Sequence, residues 1–90
     1  MLAAISQEQN KMQITLYTRQ LCSWCQEAKH YLQQRGIPFA EVDVGQNPPA
    51  HDEMKRLSGQ HRVPTIVVDG RVLADFDVEQ LKRFLQDISL

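Results

Sequence analysis

The sequence predicts an α/β fold with its elements in the order β-α-β-α-β-β-α. Stretches of alternating apolar and polar residues, the period of a strand, take turns along the chain with stretches whose apolar residues recur at helical spacing. Asp69-Gly70 stands between Thr65–Val68, β-branched throughout, and Arg71-Val72-Leu73, which is the chemistry of a two-residue hairpin. A length of 90 residues with 42% hydrophobic content holds one core and no second domain. The result is one layered sheet whose first two strands run parallel, because a helical crossover joins them.

Each element has its own signal. Gln13 to Tyr17 alternates, with Ile14 and Leu16 on one face and Thr15 and Tyr17 on the other, as a first strand. A loop follows from Thr18 to Leu21. Cys25, Ala28 and Leu32 then recur at helical spacing, and Gly36 supplies a left-handed stop before Pro38, so a helix is expected over Ser23 to Arg35. Phe39 to Val44 forms the second strand, with Ala40, Val42 and Val44 opposite Phe39, Glu41 and Asp43. Asn47 is an N-cap and Pro48-Pro49 suit a first turn, which starts a helix running to Leu57 and stopping at Gly59. After the hairpin, Val78, Leu81, Leu85 and Ile88 make the apolar stripe of a last helix capped by Asp77.

A net charge of −1 offers no general field to gather nucleic acid or an anionic membrane. The run Leu2-Ala3-Ala4-Ile5 lacks the preceding positive charge and the length of a signal peptide, and nothing later approaches a membrane span. Residues 1–11 are therefore expected to be a flexible tail ahead of one domain over 12–90, in a cytoplasmic, reducing compartment.

Only two cysteines occur, Cys22 and Cys25, and a staple across so short a loop restrains the unfolded chain little. The pair reads as chemistry. Cys22 falls where the first loop meets the first helix, so unpaired backbone N–H groups and the helix dipole favour its thiolate. Cys25, one turn further, is placed to attack a mixed disulfide formed on Cys22. The bland alternatives are two buried thiols or half of a zinc site; tetrahedral zinc needs further ligands, and neither a second C-x-x-C nor a closely spaced His pair exists. Arg19, three residues before Cys22, supplies positive charge or receives a substrate carboxylate, unless it is a solvated loop arginine. Pro64 precedes a buried strand and, having no N–H to donate, marks that strand's start.

These segments resemble the glutaredoxin family of the thioredoxin-like superfamily. Ile14-Thr15-Leu16-Tyr17-Thr18-Arg19, Cys22-Ser23-Trp24-Cys25, Arg62-Val63-Pro64-Thr65, Asp69-Gly70 and Phe76-Asp77 fall in the family's order, over about residues 12 to 88. The similarity is greatest to short bacterial and archaeal glutaredoxin-like proteins and to the glutaredoxin-like electron donors of ribonucleotide reductase. The resemblance implies a four-stranded mixed sheet flanked by three helices, a cis Pro64 beside the cysteines, and a Val63 backbone that pairs with an extended thiol peptide. It further implies a monomeric thiol-disulfide oxidoreductase with Cys22 and Cys25 catalytic and no tightly bound cofactor or metal. Glutathione is the implied co-substrate, with Arg19 receiving a carboxylate, the turn that leads into Asp77 receiving the γ-glutamyl carboxylate, and Trp24 contacting substrate. Disulfide-containing proteins are the implied partners, and a flavin-dependent reductase is an alternative electron source.

A second implied function is an iron-sulfur cluster shared between two chains through Cys22 of each. The chain departs from the family at Asp75, where Gly usually precedes Phe76, and a negative charge there opposes a carboxylate. His30, His51 and His61 are read as surface residues.

Overall fold

The computed structural model describes residues 12–88; the expected N-terminal tail, 1–11, lies outside the described residues. Its central strand is β1 (Ile14–Thr18), which pairs in parallel with β2 (Ala40–Asp43) and antiparallel with β3 (Thr65–Val68). β3 in turn pairs antiparallel with β4 (Arg71–Ala74), giving the order β2-β1-β3-β4. The parallel pair arises from the crossover helix α1 (Ser23–Gln34); α2 (Pro48–Ser58) and α3 (Val78–Asp87) complete the set. This is the mixed sheet and the element order that the sequence predicts. Among the described residues no helix is long and apolar enough to cross a membrane.

Both faces of the sheet are covered, which explains why β1 and β3 carry apolar residues on both sides. Ile14, Leu16, Ile66 and Val68 face Ala28 and Leu32 of α1 and Leu81 and Leu85 of α3, with Phe76 fully buried among them. Tyr17 and Val44 face Met54 of α2 on the other side, where Val42, Val63 and Val67 join them. A fully buried Leu or Phe side chain contributes on the order of 2 kcal/mol, so the first cluster dominates stability.

Local chemistry sets the helix ends. Gly36, at φ 68°, follows the last turn of α1; its N–H donates to the Gln33 carbonyl at 3.0 Å and the Ile37 N–H to the Leu32 carbonyl at 2.9 Å, a Schellman closure. Asn47 Oδ1 accepts from the Ala50 N–H at 3.3 Å, and Gly59, at φ 72°, ends α2. Asp77 and Gln80 form a reciprocal capping box at the start of α3.

Strand limits differ from expectation for reasons of pairing. Thr18, expected in the loop, belongs to β1 because it pairs with Asp43 and its carbonyl accepts the Val44 N–H at 2.9 Å. β2 is shorter than Phe39 to Val44: among the described residues it is an edge strand with β1 as its one neighbour. Helix α1 stops at Gln34, one residue early, with Arg35 as its C-cap.

Candidate active site

The buried end of β1, Tyr17 and Thr18, delivers the chain to a short loop, Arg19-Gln20-Leu21, that opens directly onto α1. Leu21 turns it through a left-handed backbone conformation, φ 58°, which disfavours a non-glycine residue by roughly 1–2 kcal/mol, and its side chain is wholly exposed. That turn sets Cys22 as the N-cap of α1. Its Sγ accepts the backbone N–H of Cys25 at 3.1 Å.

First-turn amides have no partner inside the helix, so a sulfur at the cap satisfies one of them and gains the positive end of the helix dipole. No acidic residue lies in this first turn to oppose it. Cys22 is partly exposed, Cys25 is fully buried, and the two are disulfide-bonded with Cα atoms 5.2 Å apart. When the bond opens, the same amide stabilises a thiolate on Cys22.

A second segment closes on the same end of the sheet. Thr65 pairs with Tyr17, so the residue before it, Pro64, lies at the end of β3 that flanks the Cys22 loop. The Val63-Pro64 peptide bond is cis and Pro64 is buried. Arg19 Nη2 donates to the carbonyl of His61 at 3.4 Å, tying the cysteine loop to this one.

A third segment joins them through the hairpin. The Pro64 carbonyl accepts the Asp75 N–H at 2.8 Å, and the Asp75 carboxylate stands 3.8 Å from the Arg62 guanidinium. Asp75, expected to oppose an incoming carboxylate, adopts a left-handed φ of 54°, consistent with a position that usually holds glycine.

Arg19, Cys22, Cys25, Val63 and Pro64 thus meet at one end of the sheet, and Asp77 lies two residues beyond the hairpin contact. Asp77 also acts as a helix cap, with Oδ1 accepting the Gln80 N–H at 2.9 Å. Trp24 sits in the first turn of α1 beside Cys22 and is 45% exposed. His30 and His61 are exposed and His51 partly so; His61 enters through its backbone alone. Among the described residues, no group of three or more His, Cys, Asp or Glu is gathered as a metal site.

Two polar contacts behind the site carry no sequence motif. Buried Thr18 donates to Glu41 Oε2 at 2.9 Å, and Lys29 reaches the same oxygen at 3.3 Å, pinning α1 to β2. The side chain of Gln60 braces the loop ahead of Pro64 through several hydrogen bonds. A lone polar residue in an aperiodic stretch gives no sequence signal for such a role.

Fold and site together define a thioredoxin-like protein whose C-x-x-C dithiol opens a helix beside a cis-proline. A glutaredoxin family model matches residues 14–73, a span that holds both cysteines and Pro64 and stops before Asp75. An uncharacterized glutaredoxin-like 8.6 kDa protein of the Clostridium pasteurianum rubredoxin operon is 32% identical over 73 residues, 81% of this chain and 97% of that one. Among solved structures, the thioredoxin-like protein BC3987 aligns with a TM-score of 0.73 at 30% identity, covering 79% of this chain and 97% of that one. The glutaredoxin-like NrdH-redoxin of Escherichia coli, described as having a thioredoxin-like activity profile, aligns with a TM-score of 0.66 at 28% identity, over 79% and 92%. The chain belongs to the glutaredoxin family and is a glutaredoxin-like redox protein with the motif Cys22-Ser23-Trp24-Cys25.

Proposed function

We propose that this protein reduces mixed disulfides of proteins or of glutathione, as a monomer in the cytoplasm. The observation that carries this is the asymmetry of the pair: Cys22, partly exposed, holds the first-turn amide at 3.1 Å, while Cys25 is buried behind it. Attack belongs to Cys22 and resolution to Cys25.

In the reduced protein the Cys22 thiolate attacks one sulfur of the substrate disulfide. The substrate S–S bond breaks and the departing thiolate takes up a proton. Cys25, having released its proton, attacks Cys22 in the mixed disulfide and expels the second substrate thiol. Two electrons have then passed to substrate and the Cys22–Cys25 disulfide remains. Two glutathione thiols reverse the change, ending as glutathione disulfide. The Val63 backbone aligns the substrate peptide, Arg19 and the turn that leads into Asp77 engage its charged ends, and Trp24 covers the reacting sulfur.

Asp75 favours a second electron source, because its carboxylate opposes a glutathione carboxylate at the turn before α3. In that case a flavin-dependent reductase passes two electrons to the Cys22–Cys25 disulfide. Turnover of a protein disulfide, with glutathione plus glutathione reductase in one arm and a thioredoxin reductase in the other, decides between them. Reduction in either arm, lost in Cys22→Ser, is expected; no turnover in both arms would sink the proposal.

A further inference from the structure

One side chain, Gln60, engages the loop between Gly59 and Pro64 at several points. Gln60 Oε1 accepts the Arg62 N–H at 2.8 Å, and its Nε2 donates toward the carbonyl of the same residue at 3.3 Å. The carboxamide therefore satisfies both backbone groups of Arg62, as a neighbouring strand would. Nε2 also reaches Thr65 Oγ1 at 3.1 Å and Ser58 Oγ at 2.9 Å, so Gln60 is anchored to the start of β3 and the end of α2. Thr65, fully buried, adds its own hydroxyl to the Arg62 carbonyl at 2.8 Å.

The consequence falls on Val63. Arg62 is occupied by Gln60, and the Pro64 carbonyl is occupied by the Asp75 N–H. Between them the N–H and C=O of Val63 enter no hydrogen bond among the described residues, although Val63 is only partly exposed. A backbone pair left open between two engaged neighbours is what an extended peptide needs in order to add itself as a strand.

We infer that Gln60 is the positioning residue of the substrate groove: its carboxamide holds Arg62 so that the N–H and C=O of Val63 are presented to a disulfide-bearing peptide. This rests on the oxidoreductase reading above. Gln60 touches no reacting sulfur, so its effect is confined to substrates that have a peptide backbone to align. A disulfide without peptide groups reads only the thiolate of Cys22.

Single-turnover oxidation of the reduced protein, followed by tryptophan fluorescence, separates the two. The probes are oxidised glutathione, which has a peptide backbone, and bis(2-hydroxyethyl) disulfide, which has none. Gln60→Ala should slow the reaction with oxidised glutathione by about tenfold, the scale of one lost polar partner, and change the other rate by less than about twofold. Gln60→Glu keeps the acceptor for the Arg62 N–H and loses the donors, so its selective loss should be smaller, on the order of threefold. Equal losses with both probes, or none with either, would overturn the assignment. If Gln60→Ala does not fold, Gln60→Glu carries the same comparison, and unfolding of both variants would show a purely structural role and overturn it too. A wild-type protein inert toward both probes would instead remove the oxidoreductase reading beneath it.

Discussion

The carboxylate of Asp75 and the guanidinium of Arg62 stand 3.8 Å apart, across the gap between the turn before α3 and the loop before Pro64. Both side chains are well exposed, so as a stabilising contact the pair is worth between about 0 and 1 kcal/mol. Its larger effect is on charge. With Arg62 in place, part of the negative field that Asp75 presents to a carboxylate is offset. At low salt, Arg62→Ala should therefore raise the apparent KM for glutathione by up to about fivefold, the factor for roughly 1 kcal/mol, the interaction of unit charges about 4 Å apart in water. Asp75→Gly should lower it, and the double variant should return near the wild-type value. High salt should shrink all three differences; steady-state kinetics that are indifferent to ionic strength would argue against a charge effect here.

The cysteine pair makes a prediction independent of substrate. In the reduced protein at mildly acidic pH, iodoacetamide should label Cys22 faster than Cys25 by about tenfold or more, since Cys22 has both solvent access and the first-turn amide. Mass spectrometry of partly labelled protein gives the ratio directly. Preferential labelling of Cys25 would exchange the two roles.

What was legible in the sequence is what the chain states locally. Asn47, Gly59 and Asp77 each cap a helix, and Gly36 closes α1 one residue past its cap, so those ends were readable from one residue and its spacing. Strand limits were less so: Thr18 is a strand residue only because Asp43 lies beside it, a fact about β2. The cis bond at Pro64 came through family resemblance, since an X-Pro pair by itself favours trans. Arg62 and Asp75 are 13 positions apart and meet because β3 and β4 fold back with Thr65 opposite Ala74. Gln60 lies in no period and no motif, and only the folded loop shows its partners.

Asp77 is read both as a helix cap and as a glutathione contact, and two substitutions pull these apart. Asp77→Ala removes the acceptor for the Gln80 N–H and should cost about 1 kcal/mol in urea unfolding. Asp77→Asn keeps a cap oxygen and should lose no more than about 0.5 kcal/mol, the scale of one charge at a helix N-terminus. If the carboxylate charge also serves glutathione, the Asn variant should change the glutathione KM while staying nearly as stable. A variant that keeps both stability and KM would reduce Asp77 to a cap.

Tyr17 carries a pH dependence that the structure specifies. Its ring is buried against Met54 and Val44, and its hydroxyl donates to Glu53 Oε1 at 3.0 Å. Burial first, then the hydrogen bond and negative charge of Glu53, raise its pKa above the ordinary 10.0, with Arg56 pulling weakly the other way. The sign follows from proton counting. Near and above pH 10 the unfolded chain loses this proton while the folded chain keeps it, so the unfolded state binds fewer protons and stability falls as pH rises. Below that range both states hold the proton and the contribution is constant. Tyr17→Phe removes the titrating group along with the hydrogen bond. The oxidised protein is the right material, because its cysteines do not titrate. The stability difference between wild type and Tyr17→Phe, taken from urea unfolding, should therefore be steady from pH 7 to 9 and narrow by pH 11. A difference that holds constant or widens at pH 11 would mean that the folded site accepts the phenolate, and that Glu53 does not hold the proton on Tyr17.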